Sequence, residues 1–300
     1  MKKRLGLAAL LILTLALACT HPQEAEAPDT PAPAEPVEEV DVVETPQSET
    51  VSYDAPTPPP VPTPTPEPTP TPTPTPSPTP APLEGAKIGI DPGHQQRANF
   101  NTEPIAPGED ARKAKCSSGT RGIVTGAYEY EVNLKVALKL KQLLEQNGAT
   151  VVITRTTNNV NFSNRSRAEF FNEQQVDLAI LLYCNGTDDT SIRGAFMLLP
   201  TRERTSFFSE NARAATTILE HYCASTGLPT RKGNGIVYTA TQTAFNWCTR
   251  PIICIEMGHL SNETDDLLLT NNAFQDKMAV GIYEGIFAYL HPDSTSEGGN

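Results

Sequence analysis

The apolar pattern that predicts packed elements begins at Lys87 and alternates between two periods. Lys87 to Asp91 is a short buried strand built on Ile88 and Ile90, and the turn residues Asp91-Pro92-Gly93 stop it, so that His94 stands just beyond a strand end. Glu129 to Asn147 has Val132, Val136, Leu140 and Leu143 at helical spacing and closes at Gly148, which puts Glu129 in the first turn of a helix. Thr150 to Arg155 is a second strand, and Ser163 is the N-cap of a helix running through Gln174. Asp177 to Tyr183 is a continuous apolar run of the kind a central parallel strand requires. A strand over Gly194 to Leu199, a helix from about Thr205 to Ser225 and a strand over Pro251 to Glu256 follow. The last helix, Asn271 to Leu290, buries Phe274, Met278, Ile282, Ile286 and Tyr289. Strands alternating with helices predict an α/β fold in three layers, a mostly parallel sheet flanked by helices on both faces. Between His94 and about Ala127 the chain is irregular, with Pro104, Pro107, Gly108, Gly119, Gly122 and Gly126, and a loop of that length in a compact domain usually borders a site.

Composition separates this domain from what precedes it. Lys2, Lys3 and Arg4 followed by an apolar run from Leu5 to Ala18 form an export signal too short for a permanent membrane span. Its end, Leu15 to Cys19, resembles a bacterial lipoprotein signal with Cys19 as the lipidated residue, although Ala16-Leu17-Ala18 also fits ordinary signal cleavage. From Cys19 to Ala86 there is no Lys or Arg, while twelve Asp and Glu lie between His21 and Gly85, about as much negative charge as the net −12 of the whole chain. With these and the three leader cations set aside, 20 basic face 23 acidic residues, a near balance that gives no reason to expect nucleic acid as a partner. Fifteen of the 28 prolines fall in Pro56 to Pro82, mostly as a Thr-Pro repeat. Such a repeat favours polyproline II and reaches roughly 80 Å when extended, the property of a stalk that holds a domain off a surface. The expected organisation is a signal peptide over 1–18, an acidic and Thr-Pro-rich linker over 19–85, a globular domain over 86–291 and a short tail over 292–300.

Five cysteines follow Cys19, an odd number with no CxxC pair, which argues against a structural zinc knuckle. The chemistry lies elsewhere. His94, Glu129 and Glu256 all fall at element boundaries that a parallel sheet gathers at one edge. A histidine and a carboxylate bind zinc, and a zinc hydrolase adds an open position for water and a second carboxylate to take its proton. A lone histidine after a turn is ordinarily a surface residue, and a first-turn glutamate ordinarily balances the helix dipole. It is the three residues together that carry the argument.

Six stretches in order, IDPGH, SGTRGIVTGAYEYEVNL, TVVITRTTNNVNFSNRSRA, DLAILLYCNG, NWC and CIEMGHLSN, resemble the zinc-dependent N-acetylmuramoyl-L-alanine amidases from Lys87 to about Leu290. The resemblance implies hydrolysis of the amide between N-acetylmuramic acid and the L-alanine of the stem peptide in peptidoglycan. It implies Zn2+ held by His94 and Glu129, with Glu131 a neighbouring competitor, and Glu256 as general base. A monomer is expected, exported to the outer face of the cytoplasmic membrane or the cell envelope and tethered through the lipid that the lipoprotein-like signal places on Cys19. One position departs from the family pattern. Aligning Asn185-Gly186 with the family's H-x-N-G puts Tyr183 where the third zinc-binding histidine belongs. A phenol of ordinary pKa about 10 is a poor ligand near neutrality. Cys184 and His259 are alternative donors, although strand alternation turns Cys184 to the opposite face unless the strand has already ended. The departure opens a competing expectation, a catalytically impaired wall-binding lipoprotein that kept the groove and lost a ligand.

Overall fold

The computed structural model describes residues 81–292 apart from Lys232. The signal peptide, Cys19, most of the linker and most of the tail lie outside the described residues. Among the described residues no helix is long and apolar enough to cross a membrane.

The continuous apolar run forms a strand over Leu178–Asn185, buried along nearly its whole length because it is covered on both faces. In chain order the strands are Lys87–Pro92 (β1), Asn99–Pro104 (β2), Arg112–Cys116 (β3), Thr150–Ile153 (β4), Leu178–Asn185 (β5), Phe196–Pro200 (β6), Ile236–Thr239 (β7) and Ile252–His259 (β8). Six of them make one sheet in the order β4-β1-β5-β8-β6-β7. All neighbours run parallel except β6 against β8. The helices are Glu129–Gln146 (α1), Asn164–Gln174 (α2), Phe208–Thr226 (α3), Thr243–Trp247 (α4), Glu263–Leu269 (α5) and Asn272–Leu290 (α6).

Alternation along β5 divides the core in two. Leu178, Ile180, Leu182 and Cys184 face the larger core that α1, α3 and α6 cover, and Ala179, Leu181 and Tyr183 face the smaller one with Phe171 of α2 and Phe245 of α4. The helix signals in the sequence hold at atomic detail. The Ser163 side chain accepts from the Ser166 amide at 3.0 Å while Ser166 Oγ accepts from the Ser163 amide at 2.9 Å, a reciprocal cap on α2. Asn271 caps α6 through the Phe274 amide at 3.0 Å.

Three expectations need correction. The stretch after His94 is not irregular throughout: β2 and β3 pair as an antiparallel hairpin, docked by Trp247 Nε1 donating to the Pro104 carbonyl at 3.0 Å and the Arg165 amide donating to buried Glu103 at 3.0 Å. Its polar, lysine- and arginine-bearing strands lack the apolar alternation that marks a strand in sequence. Glu256 does not end its strand, because β8 runs on to His259. The Tyr183↔Glu256 and Asn185↔His259 pairings leave one extra residue on β8, a bulge that lets pairing continue. β5 likewise extends past Tyr183 to Asn185, and short elements at β7, α4 and α5 carry too few residues to show a period.

Candidate active site

The site is organised at the C-terminal end of β1. His94 adopts φ 60, a left-handed conformation that a non-glycine residue holds only when its surroundings fix it. Two buried arginines do so. Arg155 donates to the Pro92 carbonyl at 2.9 Å and the Gly93 carbonyl at 3.1 Å, and Arg167 donates to the His94 carbonyl at 3.0 Å and to Asp91 Oδ1 at 2.5 Å. Asn133, one turn into α1, adds a donor to the Gly93 carbonyl at 3.3 Å. Asp91 is fully buried, and Thr154 Oγ1 also donates to it. The arginines come from the stretch TVVITRTTNNVNFSNRSRA. A buried positive charge is hard to foresee from sequence, because arginine is ordinarily exposed.

The His94 ring is held from both sides. Nδ1 lies 3.0 Å from the Ser117 carbonyl and 3.0 Å from Ser117 Oγ, while Nε2 lies 3.2 Å from Glu129 Oε1. Glu129 is oriented in turn by the backbone. Its Oε2 accepts from the Thr120 amide at 2.8 Å and its Oε1 from the Cys184 amide at 3.0 Å. Burial works against a charged imidazole here. The Glu129 carboxylate, with hydrogen bonds involving Cys116, Glu129 and Ser117, more than offsets it, and the His94 pKa is pushed up to about 10. Cys116 at the end of β3 is a neighbour the sequence did not disclose: its thiol donates to the same Ser117 carbonyl at 3.3 Å. Only the hairpin brings it back from 22 positions away.

Tyr183 joins this pair as an apolar wall. Its ring meets His94 edge-on at 4.9 Å between centroids and lies so close over Gly93 that a Cβ there would come within 2.5 Å of it. Burial, reinforced by Asp91, raises the phenol well above its ordinary 10, so it stays protonated. Glu256 sits opposite Tyr183 on β8, with its carboxyl buried and Oε2 without a hydrogen-bond partner among the described residues. Burial and then the Glu129 charge raise its pKa to about 8, against the opposing pull of His94 and Arg231.

The structure thus brings His94, Glu129, Tyr183 and Glu256 together and leaves the other two candidates apart. Because β5 continues through Asn185, the Cys184 side chain turns into the larger core, and burial holds its thiol well above the ordinary value. His259 is fully buried with both ring nitrogens engaged. Nδ1 lies 3.0 Å from the Gly194 carbonyl, and Asn185 Nδ2 donates to Nε2 at 3.2 Å.

With this geometry in view, a comparison of the sequence with known families decides the kinship: the profile described as N-acetylmuramoyl-L-alanine amidase matches residues 88–288. The chain belongs to that amidase family. Similar curated proteins include the germination-specific N-acetylmuramoyl-L-alanine amidase of Bacillus subtilis, 27% identical over 177 residues that cover 54% of this chain and 70% of the relative. The amidase LytC of the same organism is 27% identical over 206 residues, covering 68% of this chain and 36% of LytC. Among solved structures, the amidase Ami1 of Mycobacterium smegmatis superposes with a TM-score of 0.66 at 20% identity, over 70% of this chain and 99% of that one. At that identity the likeness speaks for the fold, and it agrees with the three-layer α/β arrangement.

Amidases of this family generally depend on zinc, and the residues here fit that ion in part. His94 and Glu129 converge as an imidazole and a carboxylate. The side chain beside them, Tyr183, is a protonated phenol. Among the described residues no group of three or more His, Cys, Asp or Glu could hold a metal ion.

Proposed function

We propose that this chain is a peptidoglycan hydrolase that cleaves the amide between N-acetylmuramic acid and L-alanine. The observation that carries the reading is the buried Glu256 carboxyl, left without a hydrogen-bond partner beside the His94–Glu129 pair, in a chain that matches the amidase family across its whole domain. His94 and Glu129 would hold the zinc. When bound, that ion activates water and polarises a carbonyl. The chain's own residues do the rest. Ser117, whose carbonyl lies 3.0 Å from Nδ1, orients the His94 ring, and the Thr120 and Cys184 amides fix Glu129. In its ionised form Glu256 takes a proton from the attacking water at its free Oε2 and returns it to the departing amine, in a setting from which burial excludes bulk water. We further propose that the chain is exported and anchored through Cys19, with the Thr-Pro-rich stretch spacing the domain from the membrane.

One observation favours a second reading, a wall-binding protein of the same fold with impaired catalysis. The Tyr183 ring takes the third position and His94 closes directly on Glu129, so the pair satisfies itself without a metal. Zinc analysis of the purified protein beside release of peptide from purified peptidoglycan decides between them. About one zinc per domain with peptide release supports the hydrolase. A metal-free protein that retains wall binding and releases nothing sinks it, and Tyr183→His is then expected to restore zinc binding.

A further inference from the structure

The β2–β3 hairpin contributes more to the molecule than Cys116. Between it and the segment after β4 lies a cleft of about 630 Å³, bordered by Arg97, Asn99, Phe100, Asn101, Asn159 and Asn161. Its walls are tied to each other, since Asn99 Nδ2 donates to Asn161 Oδ1 at 2.9 Å. The chain on either side of it is tied to the residues after His94. Gln95, the buried residue next to His94, donates to the Arg97 carbonyl at 3.0 Å and accepts from the Phe162 amide at 2.9 Å, and the Gln96 amide donates to the Asn158 carbonyl at 3.0 Å. These bonds link Arg97, at the cleft border, and the segment leading to Asn159 to the residues that follow His94.

Its chemistry is unusual for a surface groove. Phe100 is 75% exposed, a phenyl ring held in water at the cleft wall. Strand alternation ordinarily separates it from Asn99 and Asn101, but the β2–β3 register is irregular between Asn99 and Thr102, and all three border one cleft. Four of the six named residues are asparagines. The Asn101 and Asn159 amides have no side-chain hydrogen bond among the described residues, so each offers both a donor and an acceptor. No carboxylate borders the cleft, and its one charged residue is Arg97. A ligand matched to these walls is neutral, dense in hydroxyl and amide groups, and flat and apolar on one face. A pyranose ring bearing an N-acetyl group has all three properties.

We propose that this cleft is a subsite for the N-acetylated sugar strand, separate from the position of the scissile amide and reached along Gln95 to Arg97. The inference rests on the hydrolase reading for its choice of sugar. Phe100 stacks on the apolar face of one pyranose, and the asparagine amides bond its hydroxyl and acetamido groups.

Titrating the full-length protein with N-acetylglucosamine tetrasaccharide, followed by calorimetry, tests this. Cellotetraose, which lacks the acetamido groups, and an L-alanyl-D-glutamate peptide serve as comparison ligands. The unaltered protein is expected to bind the N-acetylated tetrasaccharide in preference to both, and Phe100→Ala to weaken that binding about tenfold or more. Asn101→Ala, at another exposed position, provides an independent variant with the same expected direction. Absence of tetrasaccharide binding, equal or tighter binding of cellotetraose, or two folded variants that bind as well as the unaltered chain would overturn the proposal. Wall hydrolysis measured on the same preparation separates the two readings. Sugar binding without hydrolysis sinks the amidase mechanism and leaves the subsite standing, whereas hydrolysis without sugar binding removes the subsite alone.

Discussion

Two buried charge clusters stand side by side at the end of β1, and they are balanced in opposite senses. In the first, Asp91 is faced by Arg167 and Arg155, and the guanidinium groups spend their donors on the Asp91 carboxylate and on the carbonyls of Pro92, Gly93 and His94. In the second, the His94 imidazole pairs with Glu129, and the buried Glu256 carboxyl lies within the field of both without a hydrogen bond to either. The first has cations to spare and converts them into a rigid backbone. The second has one negative charge too many, and the excess appears as a carboxyl that keeps its proton up to about pH 8. A cluster whose surplus donors reach backbone carbonyls positions a chain, whereas one over-supplied with carboxylate is ready to take a proton or a cation.

The largest effect expected from this contrast is on turnover. Glu256→Gln keeps the shape and removes the proton acceptor, so release of peptide from purified peptidoglycan should fall by about 10² to 10⁴-fold. Unchanged release would remove Glu256 from the chemistry. Arg167→Met acts on the balanced cluster and leaves Asp91 buried without its partner, at an expected cost of about 3–5 kcal/mol in urea unfolding. A loss below about 1 kcal/mol would mean that the Asp91–Arg167 pair does not hold this turn.

Acidity separates the clusters next. The folded protein holds the His94 proton to about pH 10 rather than 6.5, so this group's stabilisation is complete below 6.5 and lost as pH rises toward 10. Glu256 acts in the same sense, because its folded pKa is raised from 4.5 to about 8, and its contribution declines over that interval. Denaturant unfolding in the presence of a chelator is therefore expected to show stability falling by a few kcal/mol between pH 5 and 9. Glu256→Gln should flatten the part of that fall below pH 8. A flat profile in the unaltered chain would contradict both assignments. The smallest effect concerns the helix that carries Arg167. Ser163→Ala removes its reciprocal cap and should cost about 1 kcal/mol by thermal unfolding, with zinc content unchanged.

The elements that the sequence displays are those whose periodicity is written in side chains. Ile88 and Ile90, the run from Leu178 to Leu182 and the stripe from Phe274 to Tyr289 are all buried in the structure. His94 and Glu129 are legible because each sits where an element begins or ends. The β2–β3 hairpin is not, since its exposed polar strands are held by pairing and by docking onto Trp247 and the helix that carries Arg165 rather than by a buried face.

The sequence by itself determined the alternation of strands and helices, the three-layer class, the family and the tyrosine two residues before Asn185-Gly186. Local spacing, turn residues and ordered motifs are sufficient for each of these. Tertiary structure alone decided that Cys184 faces the core, that both His259 nitrogens are occupied, that Arg155 and Arg167 close on the backbone around His94, and that the Glu256 carboxyl is buried without a partner near the His94–Glu129 pair. Strand length, register and the desolvation of a charge depend on residues far apart in the chain, and no local pattern of residues records them.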